Sequence, residues 1–176
     1  RLIFANADSL RKSTRLIQHQ KEQRKRRTDR LFFEGSVSQR QENLERILSV
    51  DRRLSGNLPP LLIGGPTGSG KSTYARWVHQ NGPRSDAPFI AVNCSAIPEN
   101  LIESELFGHE KGAFTDAQNA RIGLFEAADE GTLFLDEIAS LSLPAQAKVL
   151  LAIENDRIRR VGGSKEIKVD ARIIAA

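Results

Sequence analysis

Gly65-Pro66-Thr67-Gly68-Ser69-Gly70-Lys71-Ser72 decides the fold. The octet fits the pattern G-x-x-x-x-G-K-S/T and stands between a short apolar run, Leu61-Leu62-Ile63, and a segment with helical spacing from Ser72 to Gln80. Strand, glycine-rich turn and helix in that order make a phosphate-binding loop. The glycines let successive backbone N–H groups converge on one anion, and the helix directs the positive end of its dipole to the same point. Lys71 is placed to reach the β- and γ-phosphates of ATP, the Ser72 hydroxyl to ligate Mg²⁺, and Thr73 to approach the phosphates through its backbone.

Gly131-Thr132-Leu133-Phe134-Leu135-Asp136-Glu137 is an apolar strand ending in two acids, the form of a Walker B segment. Acids buried at a strand end need a compensating charge. Mg²⁺ near Asp136, held through coordinated water, supplies one, and Glu137 is placed to polarise the water that attacks the γ-phosphate. Standing alone, such a strand would more often simply meet solvent; paired with residues 65–72 it reads as catalytic. Asn93 closes the run Phe89-Ile90-Ala91-Val92. It either lies beside Asp136, if the two strands are neighbours, or caps the next turn.

Upstream of the octet, the spacing of Leu44, Ile47, Leu48 and Leu54 predicts a helix from Ser38, ended by Gly56-Asn57 and Pro59-Pro60. Apolar runs at 61–63, 89–92, 132–135 and 169–175 alternate with helical candidates at 72–80, 101–107 and 144–154. That alternation predicts an α/β fold, a parallel sheet sandwiched by helices. Ligands then bind beyond the carboxyl ends of the strands, at Gly64, Asn93 and Asp136. Residues 1–37 read as a basic connector or the tail of a preceding domain, and 38–176 as the nucleotide-binding domain.

The 176 residues, 39% hydrophobic and 27% charged, suit one soluble core. A chain that opens on Arg1, has no Met and stops at Ala176 within an apolar run reads as a piece of a longer protein. A single cysteine, Cys94, makes neither a disulfide within the chain nor a cysteine metal cluster; it reads as a small buried hydrophobe and favours the cytoplasm. No apolar run is long enough to span a membrane or to serve as a signal-peptide core. The net charge of +4 is concentrated in residues 11–30, which carry nine Lys or Arg against Glu22 and Asp29. Without interleaved aromatics or a helix-turn-helix pattern, this stretch reads as a solvated helical linker and not as a DNA-binding element.

Between Asn93 and Asp136 runs ESELFGHEKGAFTDA, Glu103 to Ala117. Gly108 and Gly112 interrupt a segment that begins as a helix, bracket His109, Glu110 and Lys111, and expose Phe114 beside Thr115. Such a loop suits contact with a partner. FIAVNCSAIPENLIESELFGHEKGAFTDA, ADEGTLFLDE, IRRVGGSKEIKVDARIIAA and the phosphate loop together resemble the bacterial enhancer-binding proteins, the AAA+ ATPases that activate transcription by sigma-54 RNA polymerase. The resemblance covers about residues 38–176. The family's loop usually ends GAFTGA; here it is Gly112-Ala113-Phe114-Thr115-Asp116-Ala117, with Asp116 in place of a glycine.

The resemblance implies an ATPase using ATP and Mg²⁺, with Lys71, Asp136, Glu137 and Asn93 in catalysis. Asn93 matches the family's switch asparagine, which hydrogen-bonds the Walker B glutamate and links the γ-phosphate to the loop. It implies a ring, a hexamer in the family, in which the Phe114 loop works against sigma-54 and RNA polymerase. A second insertion is expected around Asn155–Lys168, followed by the sensor I strand; Arg159 and Arg160 are insertion or subunit-contact residues, or exposed structural ones. The arginine fingers, the last strand, the helical lid and the DNA-binding helices of the family fall beyond Ala176, so the isolated chain is expected to hydrolyse ATP weakly or not at all. Because of Asp116, one alternative is a nucleotide-gated binding or sensor module that does not engage sigma-54 productively. Another is a general AAA+ remodeller of other proteins or nucleic acid.

Overall fold

The computed structural model describes residues 38–54 and 58–176, so the basic stretch 11–30 and the turn at Gly56-Asn57 lie outside the described residues. The chain divides into two units, one ending at Glu45 and the other running from Arg46 to Ala176. Helix α1 (Ser38–Arg53) crosses that division.

The frame of the second unit is a four-stranded parallel sheet in the order β1 (Leu61–Leu62), β8 (Arg172–Ala175), β5 (Thr132–Asp136), β2 (Phe89–Asn93). Whereas Leu62 on the edge strand β1 is exposed, the central strands β5 and β8 are apolar because both their faces are covered. Alternation along β5 shows how. Leu133 and Leu135, with Ile90 and Val92 of β2 and Ile173 of β8, face one core. That core also takes Ile102, Leu106 and Phe107 from α3 (Glu99–Phe107), Phe125 from α4 (Leu124–Ala127), and Ala145, Val149 and Ala152 from α5 (Leu143–Asn155). Thr132, Phe134, Arg172 and Ile174 face the other way. There Phe89 stacks on Phe134, and His79 of α2 (Lys71–Asn81) meets Thr132.

The second face carries two buried polar contacts. Asp51 of α1 and Arg172 of β8, 1% and 4% exposed, form an ion pair through Arg172 Nη1, and Arg172 Nε has no hydrogen-bond partner among the described residues. His79 Nδ1 lies 2.9 Å from Thr132 Oγ1. Burial, and then the nearby Arg76 cation, push the His79 pKa below its ordinary value, against a smaller opposing effect from the Ala87 backbone.

Two small antiparallel hairpins stand off the sheet. They are β3 (Gly108–His109) with β4 (Arg121–Ile122), and β6 (Arg157–Arg159) with β7 (Glu166–Lys168). All the sheet strands expected from the apolar runs are present, but the one expected from Val169 begins only at Arg172. Val169 and Asp170 instead give their N–H groups to the Asp156 carbonyl and the Asp129 carboxylate, and Arg84 binds the Asp170 carbonyl and carboxylate. The two hairpins are absent from the sequence expectations, since strands of two or three residues leave no period to read.

Two outcomes test these buried contacts. Asp51→Ala should lower stability by about 3–5 kcal/mol in urea denaturation, because it strands a buried guanidinium. The double variant Asp51→Leu with Arg172→Met should recover most of that loss. Because the folded protein holds His79 neutral, its stability should be full above the ordinary histidine pKa of 6.5 and fall as the pH drops below it. Denaturation at pH 7.5 and 5.5 should show this difference, reduced in His79→Gln.

Candidate functional site

The phosphate loop leaves β1 and enters α2. Ile63 N–H still donates to the Ala175 carbonyl at 2.8 Å, after which the chain leaves the sheet. Gly68 and Gly70 take φ of +79° and +82°, a region in which a side chain is strained, and Gly70 is the residue from which α2 starts. At Gly65 a Cβ would come within 2.8 Å of Ser69 Oγ, so a side chain there would have to displace that hydroxyl. Ser69 N–H closes back on the Pro66 carbonyl at 3.2 Å. The first N–H groups of α2 have no acceptor within the helix and open toward the loop. Lys71 folds over it, donating from Nζ to the carbonyls of Gly65 (3.1 Å) and Pro66 (3.3 Å). The residues of the loop from Gly65 to Gly70 are exposed, as are Ser72 and Thr73.

The sheet brings the second segment to the same edge. Ser72 Oγ donates to Asp136 Oδ2 at 3.1 Å, across 64 residues of sequence. Asp136 Oδ1 accepts the N–H of Glu137 at 3.1 Å. Glu137 has φ +54°, a left-handed conformation that costs a non-glycine residue on the order of 1 kcal/mol and breaks the strand direction at that point. Its carbonyl is held by Ser140 N–H and Oγ, and Ile138 N–H donates to Ala176.

Asn93 stands opposite Asp136 in the β2–β5 register, as the neighbouring-strand reading expected. Its Oδ1 also accepts from Ser95 N–H (3.0 Å) and Ser95 Oγ (2.7 Å), so it caps the next turn as well. The position beside Asp136 and the cap are thus both present, while the Asn93 side chain bonds to Ser95 and makes no hydrogen bond to Glu137. Cys94 is buried beside it, its thiol pushed up to about 11 by burial and then by the Asp136 carboxylate, so it stays protonated.

A cleft of about 690 Å³ lies between α5 and the β6–β7 hairpin, lined by Leu151, Arg157, Arg159 and Glu166 among others. No grouping of three or more His, Cys, Asp or Glu side chains suited to a metal occurs among the described residues. A hydroxyl and a carboxylate converging at a phosphate loop nevertheless fit Mg²⁺, a hard cation that keeps several waters and takes nucleotide oxygens as further ligands.

The Phe114 loop is the tip of the β3–β4 hairpin. Its stem is tight: a Cβ on Gly108 would fall 2.5 Å from the Arg121 carbonyl oxygen, and one on Gly123 would fall 2.3 Å from Gly108 N. Gly112 (φ +81°) donates to the Ala117 carbonyl at 2.8 Å, and Ala117 N–H to the Phe114 carbonyl at 2.9 Å. Gly112, Phe114, Thr115 and Asp116 are exposed, Ala113 is half-buried and Ala117 is buried.

The second hairpin is bound to the first. Val161 N–H donates to Gly108 and Glu110 N–H to Val161, and Gly162 lies so close to Ala113 that a Cβ there would come within 2.8 Å of the alanine Cβ. Arg160 makes the strongest link. It grips Glu126 with Nε and Nη2 (2.8 and 2.7 Å) and reaches Glu110 with Nη1 (3.1 Å). Its side chain is only 21% exposed, which corrects the reading of Arg160 as an exposed residue. The guanidinium lowers the pKa of Glu126, and the two carboxylates raise that of Arg160. Arg159 is exposed and pairs with Glu166 at 2.6 Å. The sequence offers no signal for the Arg160 link, whose partners are 34 and 50 residues away.

Arg160→Ala should therefore destabilise the protein by about 2 kcal/mol. It should also speed amide hydrogen exchange at Glu110 and Val161. Arg160→Lys should restore little, because an ammonium cannot reproduce the two-pronged contact.

Comparison with known proteins identifies the family. The transcriptional regulatory protein FlbD of Caulobacter vibrioides is 54% identical over 132 residues, which is 75% of this chain and 29% of that protein. The regulatory protein AtoC of Escherichia coli is 58% identical over 116 residues, 66% of this chain and 25% of AtoC. The Nif-specific regulatory protein of Azospirillum lipoferum is 52% identical over 134 residues, 76% of this chain and 22% of that protein. The chain thus spans less than a third of the length of these curated relatives. Among solved structures, NtrX from Brucella abortus in complex with ATP superposes with a TM-score of 0.67 at 32% identity, over 98% of this chain and 36% of NtrX. With residues 37–176 matching the sigma-54 interaction domain, the chain belongs to that family.

Proposed function

We propose that the chain is the ATP-binding and ATP-hydrolysing part of a sigma-54-dependent transcriptional activator, which uses nucleotide turnover to move the Phe114 loop against sigma-54 in the RNA polymerase closed complex. The observation that carries this reading is the 3.1 Å contact of Ser72 Oγ with Asp136 Oδ2, which joins the phosphate loop to the acidic strand end. NtrX, which is similar over nearly the whole chain, has been solved with ADP and with ATP. On this reading residues 38–176 are the N-terminal part of an AAA+ module, and 1–37 a connector to a preceding domain. The protein works in the cytoplasm as a ring, and another of its domains holds promoter or enhancer DNA. No helix among the described residues is long and apolar enough to cross a membrane.

In the reaction, backbone N–H groups of the glycine-rich turn and of the first turn of α2 hold the phosphates. Lys71 Nζ exchanges its contacts with the Gly65 and Pro66 carbonyls for the β- and γ-phosphate oxygens. Ser72 and Asp136 would hold Mg²⁺, which would supply positive charge to the same oxygens. Glu137 takes hydrogen-bonded water and orients it in line with the γ-phosphate. Asn93, beside Asp136 on the same face of the sheet, senses the loss of that phosphate. Contacts that differ between ATP and ADP bias the loop between two positions; equal contacts would move nothing.

Lys71→Ala in the intact protein should abolish ATP turnover in a phosphate-release assay, and unchanged turnover would sink the site assignment. Glu137→Gln should still bind ATP while turning it over at least about a hundredfold more slowly. Measured nucleotide affinity together with turnover separates these two effects.

A further inference from the structure

The tip of the β3–β4 hairpin pairs an exposed ring with a carboxylate that no cation among the described residues neutralises. Phe114 is 40% exposed, and its ring centre lies 4.9 Å from that of His109, so the aromatic is steadied at one edge and open at the other. Asp116 is exposed two residues on. Elsewhere on the hairpin and its supports the carboxylates are paired: Glu105 with Arg121, and Glu110 and Glu126 with Arg160. Asp116 enters no ion pair among the described residues.

The backbone gives that carboxylate a defined place. Phe114-Thr115-Asp116-Ala117 is a β-turn closed by Ala117 N–H donating to the Phe114 carbonyl at 2.9 Å. Neither Thr115 nor Asp116 has a positive φ. The turn is therefore of the type I kind, which accepts aspartate, and not type II, which needs a positive φ at the third position. Asp116 thus sits at the third position of a closed turn whose first residue is Phe114. The turn is anchored behind by Gly112 N–H on the Ala117 carbonyl. An aromatic and a charge held at fixed spacing on a projecting tip make a two-point contact, in which the ring supplies affinity and the charge supplies register and choice of partner.

We infer that Phe114 and Asp116 form one docking surface, that it fits an apolar pocket on sigma-54 edged by arginine or lysine, and that Asp116 selects for that basic edge. The inference rests on the proposed sigma-54 function and deepens it by naming the chemistry of the partner surface. A partner with an acidic edge is repelled, and a purely apolar pocket would leave the carboxylate without a counter-charge at the contact.

The test is binding of purified sigma-54 to the intact protein trapped with an ATP transition-state analogue, measured across a series of salt concentrations. Asp116→Asn, which keeps the shape and removes the charge, should weaken binding about fivefold and flatten its salt dependence. Asp116→Glu should stay near the parent, Asp116→Lys should bind most weakly of the series, and Phe114→Ala should lose binding. If Asp116→Asn binds as tightly and with the same salt slope, the inference is overturned and the sigma-54 reading stands. If the parent fails to bind while Asp116→Gly binds, the charge excludes sigma-54 and the inference is again overturned. If the parent and Asp116→Gly both fail, the sigma-54 reading itself falls, and the inference with it.

Discussion

The parallel register of β5 between β2 and β8 is the constraint on which the rest of the unit depends. It sets Asn93 opposite Asp136 and Thr132 opposite Arg172, and so decides which side chains share a face. A slip of one residue would turn Leu133 and Leu135 out of the core and carry Asp136 away from Ser72. The register is protected by chemistry on both faces. Leu133, Leu135 and Ile173 bury among α3, α4 and α5, while Thr132 and Arg172 are tied to His79 and Asp51. The buried ion pair contributes specificity more than stability: it admits one placement of β8 under α1 and penalises others with an unpaired charge.

The same register gives the phosphate loop its address. Its glycines determine that the chain can turn around an anion, but only the sheet puts Asp136 within 3.1 Å of Ser72. The loop stands open where β1 ends, and the residues that close it belong to α2 and β5. The candidate site is an edge at which several elements converge, apart from the cleft between α5 and the β6–β7 hairpin.

The two hairpins form a second layer of organisation. Each is too short to hold its own shape, and each is held by the other through Val161, the close approach of Gly162 to Ala113, and Arg160. Arg160 also reaches Glu126 on α4, so any displacement of the Phe114 loop relative to the core must either carry the second hairpin with it or exchange these charge-assisted contacts. Such fastening ties the position of the Phe114 loop to that of the second hairpin and α4.

Much of this is legible in the residues. The octet at 65–72, the acid-terminated strand at 132–137 and the alternation of apolar runs with helical spacing are enough for a parallel α/β sheet with its ligand edge at Gly64, Asn93 and Asp136. Such features are local, and each is written in consecutive side chains. The strand order, the double role of Asn93, the buried pair Asp51–Arg172 and the lacing of the hairpins by Arg160 are not legible. Each depends on residues far apart in the chain meeting at a distance of a few ångströms, and no periodicity records that. The order of residues alone establishes that a phosphate loop, an acid-terminated strand and a projecting aromatic loop exist. That the loop, the acids and Asn93 share one edge of one sheet is settled in three dimensions, because pairing and burial act between elements and not along them.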